Sequence, residues 1–146
     1  MAAEYSFVPV QTVAENANVT FADGDRACRK GYIEHRSGSG VFTLRGAGNS
    51  CKTIYRVTFN GNIAVAPAAD GGVLGPISVA ITENGEVLGN ATAIVTPAAI
   101  GDYFNVSITT FVALSCGCCK TVAIRNVSDG TAIDVQNANI IFDRVA

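Results

Sequence analysis

The sequence predicts an all-β fold, an antiparallel two-sheet jelly-roll sandwich of eight to ten strands in one domain over residues 1–146. Three observations carry this. First, Phe104, Val106, Ile108, Thr110, Val112 and Leu114 occupy every second position, with Asn105, Ser107 and Thr109 between them. That is the period of a strand with one dry face. Second, turn signals such as Asn60-Gly61, Asn84-Gly85 and Asp129-Gly130 recur at the short intervals expected of linked strands. Third, no stretch shows the 3.6-residue period of an amphipathic helix.

Taken in order, residues 1–24 read as an extended N-terminal segment, with Val19 and Phe21 on one face, and Gly24–Lys30 reads as a polar, basic loop. Tyr32–Ile33 and Val41–Leu44 bracket Arg36-Ser-Gly-Ser-Gly40, a hairpin signal because the glycines permit positive φ. Thr53–Phe59 alternates, Asn60-Gly61 predicts a type I′ turn, and Ile63–Val65 follows as a short strand. Pro67–Gly75 is a loop. Ile77–Thr82 and Glu86–Leu88 form a hairpin about Asn84-Gly85, and Ala91–Val95 is a further strand ended by Pro97. Tyr103–Leu114 and Thr121–Val127 read as a central antiparallel hairpin. Ile133–Val135 and Ala138–Val145 finish the chain, with Ile140 and Phe142 on one face and Ile141, Asp143 and Val145 on the other.

Composition narrows the function. Apolar residues make up 49% and charged residues 15%, less charge than soluble domains usually carry, so extra surface is expected to be covered by self-association. A net charge of −2 argues against nucleic acid as a partner. Seven of the ten basic residues lie between Arg26 and Arg56, and none lies between Val57 and Cys119. No apolar run approaches the roughly 18 residues of a membrane span, and the N-terminus shows no signal-peptide pattern.

Candidate chemistry is sparse. Cys28, Cys51, Cys116, Cys118 and Cys119 are candidates for a disulfide or for free thiols. An odd number without a secretory signal favours reduced thiols. Cys28 and Cys51 are expected to be unpaired, or paired only with each other. Adjacent Cys118 and Cys119 on a strand end point to opposite faces and do not suit one tetrahedral zinc, so no metal is expected. His35, the only histidine, lacks a nearby nucleophile motif and reads as a turn residue. No calcium loop or phosphate loop is present, so neither cofactor nor catalytic residue is expected. Asn18, Asn90, Asn105 and Asn126 each begin an Asn-x-Ser/Thr sequon, which here reflects composition.

The segment Gly101-Asp-Tyr103-Phe104-Asn-Val106 resembles the Gly-x-Tyr-x-Phe strand motif of the tumour necrosis factor/complement jelly rolls, with the two rings adjacent instead of spaced. The Ile77–Leu88 hairpin and the closing Ala138–Val145 strand are similar to elements of the same superfamily. Within it, Phe7-Val-Pro-Val-Gln-Thr-Val13 and Asn137-Ala-Asn-Ile-Ile-Phe-Asp-Arg-Val145 resemble virion surface or head-decoration proteins of phages infecting gut Firmicutes. Spore-surface glycoproteins share the jelly roll but place it after a collagen-like tract, which this sequence lacks. The resemblance implies a homotrimer that binds a surface and catalyses nothing, with a capsid or other virion protein as partner and the virion as its location. The alternative is a lectin-like adhesion module for host glycans, or a bacterial or spore surface protein. For the lectin, Tyr5, Tyr32, Tyr55 and Tyr103 would replace the absent tryptophan. Tyr55, Val57 and Phe59 oppose Ile54, while Tyr103 and Phe111 oppose the apolar row of their strand. Strands with two apolar faces imply a buried second face, and Tyr103, Phe111 and Tyr55 are the expected centre of a trimer interface.

Overall fold

A computed structural model describes residues 2–28, 31–46, 51–67, 74–115 and 119–146. Its ten strands are β1 (Ala2–Phe7), β2 (Gln11–Val13), β3 (Ile33–His35), β4 (Val41–Arg45), β5 (Lys52–Val65), β6 (Ile77–Glu83), β7 (Glu86–Val95), β8 (Phe104–Ser115), β9 (Cys119–Asn126) and β10 (Ile133–Arg144). They form two five-stranded antiparallel sheets. The first has the order β1-β10-β5-β8, with β2 also beside β10; the second has the order β3-β4-β9-β6-β7. This is the jelly-roll sandwich that the alternation predicts.

Period-2 patterning decides what lies between the sheets. On β5, Thr53, Tyr55, Val57, Phe59 and Ile63 are buried, while Ile54, Arg56, Thr58, Asn60 and Asn62 alternate with them on the outer face. On β8, Val106, Ile108, Thr110, Val112 and Leu114 point in. Tyr5, Phe21, Phe42, Tyr55, Phe59 and Phe142 form the aromatic part of the core, with Phe42 only 4.9 Å from Phe142 and 4.8 Å from Tyr5 between ring centroids. Each such ring, fully buried, stabilises the fold by roughly 1.5–3 kcal/mol.

Several turn expectations hold. Asn84 (φ 51°) and Gly85 (φ 83°) make the left-handed pair that a type I′ turn needs between β6 and β7. Gly38 (φ 89°) turns the chain between β3 and β4. Val19 and Phe21 are both buried, as their shared face predicts.

Others are corrected. Asn60-Gly61 is not a turn, because β5 runs unbroken through it. A Cβ on Gly61 would lie 2.9 Å from the Phe59 ring, so glycine is there to let that ring lie flat on the strand. Opposite it, β10 carries a bulge between Gln136 and Asn139 with Asn137 at φ 56°, which joins the two expected C-terminal strands into one. Glu86–Leu88 and Ala91–Val95 likewise merge into β7. The largest correction concerns the central hairpin: β8 pairs with β5, and β9 pairs with β4 and β6 in the other sheet. Both strands do have one dry face, but those faces meet across the core instead of lying side by side.

Candidate partner interface

A sandwich has two lateral seams where the edge strands of its sheets come together. One seam lies between β1 and β3. Residues 14–28 cover it: Phe21 donates to the Ser39 carbonyl of the β3–β4 turn at 3.2 Å, Ala22 to the Ser6 carbonyl at 2.9 Å, and Glu4 on β1 to the Arg26 carbonyl at 2.9 Å. The other seam lies between β7 and β8. There, among the described residues, β7 pairs only with β6 and β8 only with β5, so each presents one backbone edge with no strand beside it there.

The β8 edge is unusual in its chemistry. Protected edges carry Lys, Pro, a bulge or inward-pointing charges. From Phe104 to Ser115 there is no charged residue, no proline and no glycine, and the pairing with β5 is free of register shifts over all twelve residues. Phe111 is 62% exposed and Phe104 41%, and Ile94 on the neighbouring β7 is 68% exposed.

Of the three residues expected at an interface, two sit here. Tyr103 immediately precedes β8 and is 40% exposed; partial burial, then the negative charge of Asp134, raises its phenol pKa above 10.0. Phe111 lies on the outer face beside Arg56, whose Nη2 donates to Asp143 Oδ2 at 2.7 Å. Tyr55 does not join them. It is fully buried between the sheets, and its hydroxyl donates to the Arg45 carbonyl at 2.8 Å. Burial is the main cause of its raised pKa, with the nearby Arg144 charge acting the other way. Of the two faces of β5, the one with three large apolar side chains goes inside. The other is polar apart from Ile54, so the expected second apolar face is absent from this strand.

That outer face of the first sheet instead carries hydroxyls and amides beside the Arg56–Asp143 ion pair. Thr58 and Thr109 hydroxyls are 3.3 Å apart, Asn105 donates to Asn62 at 3.1 Å, and Asn139 donates to Glu4 at 2.9 Å. Phe111 stands at one end of it.

The remaining candidates separate. Cys28 is partly buried against the core and Cys51 is exposed, and both carry free thiols. Cys119 opens β9 opposite Arg45, while Cys116 and Cys118 lie outside the described residues. Among the described residues no three His, Cys, Asp or Glu side chains gather as metal ligands. Asn126, one of the four sequon asparagines, is buried and donates to the carbonyls of Val13 and Thr131.

His35 is not a turn residue. It ends β3 with its side chain fully buried, Nδ1 2.5 Å from Asp23 Oδ1 and Nε2 2.8 Å from the Ser39 carbonyl. A His–Asp pair is half of a hydrolytic triad, but the nitrogen that would take a proton from a nucleophile faces a carbonyl and no solvent. The pair is structural. Sequence reasoning had no signal for it, since Asp23 and His35 meet only through the fold. It also had none for a groove of about 410 Å³ between β1 and the loop at 25–27, lined by Ala2, Glu4, Asp25, Arg26, Ala27 and Ile141.

No family model and no curated protein sequence matches this chain. Solved structures do. A tumour necrosis factor of the Eiger type from S. frugiperda superposes with a TM-score of 0.69 at 12% identity, over 100% of this chain and 92% of that one. Murine APRIL in its pH 5.0 crystal structure superposes with a TM-score of 0.65 at 12% identity, over 99% and 100%. At such identities the likeness is one of fold: a tumour necrosis factor-like jelly roll along the whole chain.

Proposed function

We propose that this protein is a non-enzymatic structural protein that assembles as a homotrimer through the β7/β8 seam. The observation that carries this is the uncharged β8 edge, which has no second strand beside it among the described residues, with Phe104 and Phe111 exposed on it. A long, uncharged, partly apolar edge is a site for pairing with another chain. Hiding Phe104, Phe111, Tyr103 and Ile94 against a neighbouring copy stabilises by roughly 1.5–3 kcal/mol for each side chain fully buried. Association about a closed axis covers every copy's edge at once, whereas an open arrangement would leave one exposed. The tumour necrosis factor-like fold supports three as the number of copies. Light scattering on the eluting protein should give three times the chain mass of 15.1 kDa. A stable, folded monomer at micromolar concentration contradicts the reading.

The role proposed for the trimer is that of a phage virion decoration or fibre-head protein seated on a capsid or other virion protein. Its support is the sequence resemblance of Phe7–Val13 and Asn137–Val145 to such proteins, and a capsid or portal gene beside this one would test it. A second reading, a lectin-like adhesion module, is favoured by the hydroxyl and amide layer of Thr58, Thr109, Asn62 and Asn105 with Phe111 at its end. Neutral hydrogen-bonding groups beside an aromatic ring suit a sugar. A glycan array decides it: reproducible sub-millimolar binding favours the lectin, and none removes it.

A further inference from the structure

The chain holds two Asn-Gly dipeptides, Asn60-Gly61 and Asn84-Gly85, and the fold gives them opposite surroundings. Glycine has no Cβ, so its amide nitrogen is open to close approach by the asparagine side chain before it. Asn60-Gly61 lies inside β5, with β8 on one side and β10 on the other. Gly61 is buried, and the Phe59 ring fills the space a Cβ would take. Asn84-Gly85 is the two-residue loop between β6 and β7, closed by the Glu83–Glu86 pair, and both of its residues are exposed. A Cβ on Gly85 would meet nothing within 4 Å.

The Asn84 side chain is also held by its carbonyl. Its backbone amide donates to the Thr121 carbonyl at 2.9 Å, and the Thr121 amide donates in return to Asn84 Oδ1 at 2.9 Å. A backbone N–H on that oxygen stabilises the negative charge it gains when the carbon it is bonded to is attacked.

We propose that Asn84 is a site of spontaneous covalent modification, deamidating through a succinimide, while the same dipeptide at Asn60 is kept intact by its strand. The Gly85 backbone nitrogen gives its proton to solvent and bonds to Asn84 Cγ. The Cγ–Nδ2 bond breaks, and Nδ2 leaves as ammonia with a proton taken from water. Water then opens the imide at either carbonyl, so the product is aspartate or isoaspartate. Nothing is oxidised or reduced. At Asn60 the same ring closure needs the backbone to rotate out of its extended form, which breaks the pairing with β8 and β10. That opening draws on the stability of the sheet, whereas at Asn84 the rotation stays within an exposed loop.

The two products differ in consequence. Aspartate accepts the left-handed φ of this position as asparagine does. Its carboxylate keeps the Thr121 N–H, now as a charge-assisted bond. Isoaspartate lengthens the backbone by a methylene, which a two-residue loop with set φ values cannot absorb. The neighbouring pair of Thr82 with Val87 then loosens.

The test uses the full-length parent, incubated at physiological temperature and mildly alkaline pH and then digested in acid. Mass spectrometry follows the exchange of amide for acid in each peptide, and isoaspartate is identified by its methyltransferase label. Asn84 should convert about ten times faster than Asn60, or more, because only Asn60 needs the sheet to open. In denaturant, where both dipeptides are unfolded, the two rates should draw level. Hydrogen exchange at Val87 should quicken in the isoaspartate fraction and keep its parent rate in Asn84→Asp, which carries the aspartate product. An Asn84 that stays amidated as long as Asn60 in the folded protein overturns the proposal. So does a difference between the two peptides that survives unfolding, since it would not come from the fold. An isoaspartate fraction with Val87 exchange unchanged overturns the effect assigned to the loop.

Discussion

The two lateral seams meet the same problem, unpaired strand edges over a core of large apolar side chains, with different means. At β1/β3 the chain covers itself: residues 14–28 supply backbone partners, and His35 and Asp23 pin them. At β7/β8 nothing in the described chain covers the edge, and Phe104, Phe111 and Ile94 stand in solvent. An edge covered from within needs no partner, and one left bare without a charge along it is suited to receive one. The contrast separates residues that hold the fold from residues that hold an assembly, and substitutions can break or sharpen it.

The largest effect on folding is expected inside the covered seam. Phe42 is fully buried among Tyr5, Phe21, His35 and Phe142, so Phe42→Ala should destabilise each chain by about 3–5 kcal/mol, read from denaturant unfolding. Gly61→Ala comes next. Its Cβ would meet the Phe59 ring at 2.9 Å within the strand, and overpacking of this kind costs about 1–3 kcal/mol. A smaller loss, about 1 kcal/mol, is expected for Tyr55→Phe, which removes the hydrogen bond to the Arg45 carbonyl and leaves the ring in place. That substitution has a pH signature as well. Burial raises the folded pKa values of Tyr5 and Tyr55 above 10.0, so their share of stability is full below pH 10 and lost as pH rises through the higher folded values. A variant with phenylalanine at both positions should show a shallower alkaline fall in melting temperature than the parent.

How much of this was legible in the sequence depends on the range of the interaction. Alternation along a strand is local, so it gives the inward row of β8 from Val106 to Leu114, that of β10 and the shared face of Val19 and Phe21, but not the exposure of Phe104 at the end of its row. The Asn84-Gly85 turn was legible because its φ values are set by those two residues. Strand pairing was not: β8 and β9 carry the alternation of hairpin strands, yet their partners, β5 for one and β4 and β6 for the other, lie elsewhere in the sequence. Asn60-Gly61 misled because glycine serves two purposes, positive φ in a turn and close approach in a strand, and only the Phe59 ring shows which applies. Tyr55 lies inside and not at an interface, because parity sorts residues into two faces without saying which is inside. His35 and Asp23 are twelve residues apart and carry no motif.

The smallest effect on the fold of a single chain should come from Phe111, which the chain itself leaves 62% exposed. Phe111→Asp should change chain stability by no more than about 0.5 kcal/mol, as surface substitutions do. On assembly it should act most strongly of all, setting a carboxylate where the neighbouring copy packs. Native mass by light scattering, with the parent and Phe42→Ala run alongside, puts the comparison of the two seams to a direct test. Expected are a folded Phe111→Asp monomer near 15.1 kDa, a parent at three times that mass, and a Phe42→Ala protein that melts earlier but stays trimeric while folded. A Phe111→Asp protein that elutes as the same trimer as the parent would contradict it.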